Sequence, residues 1–374
     1  MTTGKAKLLV LRSGPALENG RLMNEMRMFV EAGLDASVFS WDRGGTFPVT
    51  VEREGYAVRH CHARGTYGGK GLLLQIPVWW VHVFRELLRE RPDFIHAVDF
   101  DTVVPALAYR LLRRVPVVFD VYDFFSAKSY GMPGPLKPIV SSAERFCARR
   151  SDGVIIVDEA RRYLLGKRLP RRLVVAENCP YDMVNPAWRK PEGGPFTIFY
   201  AGLIARYRGI SKLIRVTEGI EGVRVHIAGI MKDARYREAF ENAPHVTYLG
   251  PLDRDEVIRR TFEANAVYSY YDPALEINRT ANSTKMFEAF MCGTPVLVNS
   301  EPPSSSVVAE TESGACLPYD DEDALRATII AWRDRPEEAA RLGENGRRLF
   351  KERYDWARVL ERILELYREV GAPV

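Results

Sequence analysis

Apolar residues fall in short blocks along this chain, each about the length of a strand. Between most blocks lies a longer stretch with apolar residues three and four apart. Lys7–Leu11 is the first block and stops at Ser13-Gly14-Pro15. Leu22–Ala32 follows with helical spacing and closes at Gly33, a residue free to take the left-handed conformation that ends helices. Ala36–Ser40 predicts the next strand, and Val49–His60, alternating around Gly55, predicts a hairpin. Further strands are predicted at Phe94–Val98, Val117–Val121, Val154–Val157 and Leu173–Ala176, with helices between, notably Val103–Leu112 and Leu136–Arg149. The second half repeats the habit at Thr197–Ala201, Val223–Ala228, Val246–Leu249, Ala266–Tyr270 and Pro295–Val298. It ends in helices over Asp323–Arg333, Pro336–Phe350 and Asp355–Val370.

Repeated strand–helix alternation implies parallel sheets with right-handed crossovers. Two such runs, parted by the Pro- and Gly-rich segment Pro180–Pro195, imply an α/β chain of two doubly wound, Rossmann-like domains. The expected bounds are 1–180, a hinge over 181–195, and 196–352; a length of 374 residues suits two domains.

In open α/β sheets ligands bind beyond the carboxyl ends of the strands. Five loops there are chemically rich: Ser13–Arg21, Asp99–Asp101, Tyr122–Ser126, Gly202–Gly209 and Tyr271–Thr284. The last runs into Lys285–Cys292, a short helix stopped by Gly293 and followed by the strand Pro295–Val298. Its N-terminus is a natural anion site, because unpaired N–H groups and the positive dipole end gather there. Lys285 in the first turn and Glu288 three residues on share a face. Together they suit a phosphate and a ribose diol; the plainer reading is a solvent-facing pair. In Gly202–Gly209, GLIARYRG, Gly202 allows close backbone approach and Arg206 and Arg208 offer forked donors to a diphosphate. This is neither a GxGxxG fingerprint nor a Walker A loop, so dehydrogenase and P-loop ATPase readings lack their marks. Asp99, Asp101 and Asp123 follow first-half strands, where they either orient an acceptor hydroxyl or cap helices.

Composition is that of a globular protein without a spanning helix, and the opening MTTGKAKLLVLRSG lacks a secretory apolar core. Five scattered cysteines without CxxC fit a reducing compartment. His60-Cys61-His62 has the chemistry of metal ligands but no second pair, so no metal is expected. The net charge of +4 conceals an asymmetry: Met1–Asn178 carries 27 Lys and Arg against 19 Asp and Glu, the remainder 26 against 30. A basic first half points to an anionic partner, a membrane surface or a phosphorylated acceptor, or to an Arg-rich solvated surface. Tyr67–Glu90 is amphipathic and aromatic; it either packs as a core helix with two Trp residues or meets a membrane interface or polyprenyl lipid. No pattern for nucleic acid is present.

NSTKMFEAFMCGTPVLV resembles the motif around the nucleotide-sugar glutamate of the retaining glycosyltransferases of family 4, in a variant NxxK..E form. FYAGLIARYRGI resembles that family's GRL…KG loop, and HIAG at His226–Gly229 and VTYLGPL at Val246–Leu252 match further strands in order. In the first half, GRLMNEMRMFVEAGLDASVFSWDR, PDFIHAVDFDTVVPAL and VVAEN resemble the family's opening, its PDVIHAHDLDT segment and its VIPN domain end. The resemblance covers essentially the whole chain. It implies a GT-B fold of two Rossmann-like domains facing a cleft, with the helix from Asp355 (355–371) completing the first domain. It implies transfer from a nucleotide-sugar donor, held mostly by the second domain, to a glycan, polyprenyl-linked or small-molecule acceptor, without a metal or other cofactor. Gly14, Gly202, Leu252, Asn282, Thr284 and Glu288 are the implied donor-binding residues, Glu288 at the ribose. Arg208 stands where the loop Lys meets the departing diphosphate, with Arg206 and Lys285 beside it, and Asp99 and Asp123 are the acceptor-side candidates. The setting it implies is cytoplasmic, near the inner face of the membrane, in surface polysaccharide or glycolipid synthesis.

The chain departs from the family at Thr280, where the first Glu of EX7E belongs, with Glu276 nearby but out of register. Leu203 replaces an Arg, and Val98 replaces a His, leaving His96 two residues before. These departures touch catalysis more than donor binding. They keep two alternatives open: a sugar-nucleotide epimerase of the same fold, and a non-catalytic nucleotide-sugar-binding paralogue.

Overall fold

The computed structural model describes residues 5–65, 69–127, 134–275, 278–279 and 281–374, with backbone alone over 69–74. Tyr67, Glu276 and Thr280 lie outside the described residues. The chain forms two compact units, Met1–Glu177 with Leu360–Val374, and Asn178–Val359.

In the first unit the elements are β1 (Lys7–Arg12), α1 (Gly20–Glu31), β2 (Asp35–Trp41), β3 (Thr50–Arg53), β4 (Tyr56–Cys61), α2 (Gly69–Glu90) and β5 (Phe94–Val98). They continue with α3 (Phe100–Arg113), β6 (Val117–Val121), α4 (Leu136–Arg150), β7 (Gly153–Ile156) and β8 (Leu173–Val175). The strands form one sheet in the order β3-β4-β2-β1-β5-β6-β7-β8, parallel except for the β3–β4 hairpin. That hairpin reverses through Glu54 (φ 48°) and Gly55 (φ 85°), the paired positive angles that suit the twist of a two-residue turn. Helix α1 starts at Gly20, ahead of the predicted Leu22, because the Asn19 side chain accepts from the Leu22 amide at 2.8 Å.

Alternate strand residues build one core: Leu9, Leu11, Ile95, Ala97, Val117 and Phe119 meet Trp79, Val83 and Leu87 of α2, Val103, Ala106 and Tyr109 of α3, and Cys147 and Ala148 of α4. Helices α2, α3 and α4 therefore cover one face of the sheet. Trp79 is fully buried, and the indole of Trp80 donates to the Asp101 carbonyl at 3.0 Å, so both tryptophans of α2 point to protein.

The opposite face holds a buried charge cluster. Arg21 of α1 bridges Glu25 (2.8 Å) and Asp120 (3.1 Å) and donates to the Ala176 carbonyl at 2.7 Å. His96 of β5 lies 3.3 Å from Asp120, and its Nδ1 is 2.8 Å from the hydroxyl of Tyr367 near the C-terminus. Burial acts to raise both carboxyls. It prevails at Glu25, whereas at Asp120 the Arg21 charge and His96 outweigh it and hold that group below its usual range. The geometry of Glu25, His96 and Asp120 would suit a metal, but Arg21 already supplies the cation. Close by, a Cβ on Gly153 would stand 2.8 Å from Leu366, so the C-terminal segment seats tightly on β7.

In the second unit the elements are β9 (Phe196–Ala201), α5 (Ile210–Thr217), β10 (Val223–Ala228), α6 (Arg235–Glu241), β11 (Val246–Gly250), α7 (Arg254–Glu263) and β12 (Ala266–Ser269). They continue with α8 (Thr284–Cys292), β13 (Val296–Asn299), α9 (Ser306–Glu310), β14 (Gly314–Leu317), α10 (Glu322–Asp334) and α11 (Pro336–Leu349); the last helix, α12 (Trp356–Glu369), belongs to the first unit from Leu360 onward. Its six strands are all parallel, in the order β11-β10-β9-β12-β13-β14. The segment read as a hinge is folded onto this unit: Asp182 pairs with Arg347 at 2.9 Å and with Lys351, and Met183, Val184 and Trp188 pack on the cluster around Phe287 and Phe290.

Candidate active site

The carboxyl ends of β9, β10 and β12 converge in the second unit. Gly202 follows β9 at φ 146° and Gly229 follows β10 at φ 134°. A Cβ on Gly229 would lie 1.8 Å from the Gly202 carbonyl oxygen, so the two strand ends turn directly against each other. A Cβ on Gly202 would stand 3.5 Å from the Tyr200 hydroxyl and 3.6 Å from Lys285 Nζ. Gly202 thus opens the floor of a site over which the Lys285 ammonium hangs.

Lys285 arrives there because α8 begins at Thr284 and ends at Gly293, whose φ of 62° is the left-handed stop. Ser283 occupies the N-cap position, yet its hydroxyl lies 2.6 Å from that of Ser269 on β12, and no side chain caps the helix. Thr284 is exposed at the first helical position and Asn282 is half-buried in the approach. Lys285 Nζ stands 5.4 Å from the ring centres of both Tyr200 and Tyr271 and 3.5 Å from the Tyr271 hydroxyl.

From the other side, the short 3-10 turn Arg206–Arg208 puts the Arg208 guanidinium 4.6 Å from the Tyr271 ring centre. Arg208 Nε is buried without a hydrogen-bond partner among the described residues. Neither Arg208 nor Lys285 has a carboxylate in ion-pair reach there. Arg206, on the same turn, is exposed.

Tyr271 joins the two cations and was not singled out from the sequence. Asn299, at the end of β13, fixes it by accepting from its amide (2.7 Å) and donating to its carbonyl (3.0 Å). Burial acts to raise the phenol, but Lys285, Ser283 and Arg208 outweigh it and bring the group below its ordinary value. A lowered phenol reports a strongly positive locality. The only sequence signal was its place, directly after a strand in a loop already marked as rich.

Glu288, one turn along α8, is mostly buried and faces Arg254 at 3.5 Å. Burial raises its carboxyl, with Arg254 and then Lys285 acting against the rise. Among the described residues no amide or hydroxyl donates to it, so its oxygens retain acceptor capacity. Leu252 packs with Leu249 and Val257 on Phe199 and Ala228, bracing the β9 and β10 ends.

The remaining candidates belong to the first unit. Asp99, at φ 66°, accepts the amides of Tyr122 (3.0 Å) and Asp123 (3.1 Å), tying the end of β5 to that of β6. Asp123 is half-exposed and pairs with Arg161 at 3.0 Å. A Cβ on Gly14 would meet only Arg12 Nε, at 3.9 Å, so packing does not demand glycine there. His60 is buried with Nδ1 2.8 Å from the Pro48 carbonyl, while His62 is partly exposed 3.7 Å from Asp42, and the two share no site.

A family model described as a glycosyl transferase 4-like domain matches residues 15–179, and one described as glycosyl transferase-like matches residues 208–365. Glycogen synthase of Mycobacterium tuberculosis is 24% identical over 295 residues, covering 74% of this chain and 69% of that protein. Among solved structures, sucrose-phosphate synthase of Thermosynechococcus elongatus superposes with a TM-score of 0.76 at 15% identity, over 99% of this chain and 100% of that one. Anabaena Alr3699/HepE, solved with UDP and glucose, gives 0.70 at 16% identity, over 97% and 99%. The architecture is the GT-B fold.

Proposed function

The chain belongs to the glycosyltransferases of family 4, and we propose that it moves a sugar from a nucleotide-sugar donor to a glycan, lipid-linked or small-molecule acceptor with retention at the anomeric carbon. The observation that carries the donor assignment is the convergence of Arg208 and Lys285 on Tyr271 beside Gly202, with neither cation neutralised by a carboxylate. Two fixed positive charges at a glycine-floored strand end suit a diphosphate.

A sugar nucleotide brings its own leaving group. The protein then has to hold the donor and stabilise the charge that grows on the diphosphate as the glycosidic bond breaks. Arg208 and Lys285 take that charge, which gives the transfer no need of a metal. Glu288 accepts hydrogen bonds from the ribose diol, and the uncapped start of α8 at Thr284 faces a phosphate. Same-face substitution requires no protein nucleophile. Uridine is the first base to try, given the UDP held by the Anabaena neighbour. Surface polysaccharide or glycolipid assembly is the role we assign.

The test is donor turnover with and without acceptor. Nucleoside diphosphate release that depends on an added acceptor, with the anomeric configuration kept in the product by NMR, supports transfer. Interconversion of free donor without acceptor would instead make the protein an epimerase.

A further inference from the structure

The outer surface of the α2–α4 layer has a composition unlike the rest of the first unit. Among the described residues, that unit exposes eleven large apolar side chains, and eight stand on these three helices: Val78, Val81 and Leu88 on α2, Leu111 and Leu112 on α3, and Leu136, Ile139 and Phe146 on α4. Leu111 is 84% exposed, Leu112 and Ile139 64% and Phe146 52%. Ile139, Phe146, Arg149 and Arg150 recur at helical spacing on the solvent side of α4, so the apolar and basic groups share one face.

Charge on this layer has one sign. Of its described acidic residues, Glu86, Asp101 and Glu144 are buried, and Glu90 is engaged by Arg89. Arg113, Arg114, Arg149, Arg150 and Arg171 have no carboxylate partner among the described residues. Arg150 lies over the Phe146 ring at 5.2 Å. Between α3 and α4 runs a trough of about 1250 Å³, floored by Val104, Leu107, Ala143 and Cys147 and rimmed by Leu111 and Phe146 with Arg114, Arg149, Arg150 and Arg171; its one carboxylate among the described residues, Asp152, is paired with Arg110.

We propose that this face docks on an anionic phospholipid bilayer, with Leu111, Leu112, Ile139 and Phe146 entering the interface and the arginines meeting lipid phosphates. Exposed aliphatic and aromatic side chains ringed by unpaired arginines match the depth profile of such a surface, apolar just below charged headgroups. The contact is peripheral, because no described helix is long and apolar enough to cross a membrane. On α2 this face is offered by Val78, Val81 and Leu88, since Trp79 is fully buried and the half-buried Trp80 donates its indole N–H to the Asp101 carbonyl.

The test is flotation of the full chain with vesicles of phosphatidylcholine alone and of phosphatidylcholine mixed with phosphatidylglycerol. Binding is expected only to the mixed vesicles and is expected to fall as salt rises. Each arginine near the surface is worth about fivefold, so Arg113→Glu, Arg149→Glu and Arg150→Glu together lower vesicle affinity by at least about a hundredfold. A control with the same charge change elsewhere, Arg237→Glu with Arg259→Glu and Arg341→Glu in the second unit, keeps binding. Leu111→Ser with Phe146→Ser weakens binding while leaving the charge intact. All variants alter exposed positions, and circular dichroism checks that they fold. Failure of the wild-type chain to bind the mixed vesicles would overturn the proposal, as would equal losses in the control. Self-association through this face in place of vesicle binding would likewise assign it to protein. Binding is read without donor or acceptor, so its failure leaves the transfer reading untouched.

Discussion

Replacing Lys285 by methionine separates its two physical roles. Without ligand, the ammonium makes two cation–π contacts at 5.4 Å, each worth about 0.5–1 kcal/mol at most, and no ion pair among the described residues. Against these stand its partial desolvation and the nearby Arg208 charge. The methionine stem fills nearly the same volume. The net change in stability should stay within about 1 kcal/mol, a shift in Tm of a few degrees for a unit of this size. In the transition state the same ammonium meets a departing diphosphate. Loss of one fixed electrostatic contact there costs about 3 kcal/mol, roughly a hundredfold in kcat. The assay is diphosphate release at saturating donor, beside a thermal melt of the free protein. A second readout is spectrophotometric titration of tyrosine. Lys285 is the first of the groups that hold the Tyr271 phenol down against burial, so its removal raises that titration. A fall in kcat of less than about threefold with the melt unchanged would refute the placement of Lys285 at the leaving group. A large fall with a collapsed melt would show a structural role instead.

Glu288→Gln should weaken donor binding by at least about tenfold while leaving the ligand-free protein as stable as before or more so near neutral pH. The Glu288 carboxyl is raised by burial, so the stability it contributes is present at acid pH and lost as pH rises through its folded value; the glutamine removes that loss. In the wild type, donor affinity measured by calorimetry should decline with acid at a pH above the usual carboxylate range, and the glutamine variant should lack that decline. Gly229→Ala should destabilise the second unit by several kcal/mol and abolish nucleotide binding, because the new methyl meets the Gly202 oxygen at 1.8 Å and φ is 134°; a folded, binding variant by circular dichroism and calorimetry would contradict this. Tyr367→Phe removes the hydroxyl beside buried His96 and should cost about 1–3 kcal/mol in urea denaturation.

Much of the fold is written in local pattern. The block at Val117–Val121 is apolar except at Asp120, which the buried charge cluster takes, because both faces of β6 are covered, and Gly33 and Gly293 end helices through backbone freedom that can be seen one residue at a time. Strand β14 escaped detection because GACL at the sheet edge is only half-buried and carries no apolar run. Its glycine answers instead to a distant neighbour: a Cβ on Gly314 would lie 2.0 Å from the Val296 oxygen. The Pro180–Pro195 segment looked like a hinge by composition, yet Asp182 finds Arg347 165 residues away, a pairing with no local sign. The same division runs through the site. Lys285 and Glu288 were legible because helical spacing sets their faces. Tyr271 was not, since its importance comes from cations at Arg208 and Lys285 that reach it only once three strand ends are assembled. Asp99 read either as an acceptor-orienting group or as a helix cap; its side chain makes no cap bond and instead accepts the Tyr122 and Asp123 amides, a tie between strand ends that local sequence does not announce.

The central claim is that the ends of β9, β10 and β12 with the start of α8 hold a nucleoside diphosphate. Thermal stabilisation by UDP, GDP, ADP, CMP and dTDP, repeated on Glu288→Ala, tests it most directly, because a ligand that binds only the folded state raises its melting temperature. The account predicts a shift with one of the diphosphates, UDP first, that is lost in the variant. No shift with any nucleotide, or a shift that Glu288→Ala leaves intact, would contradict it.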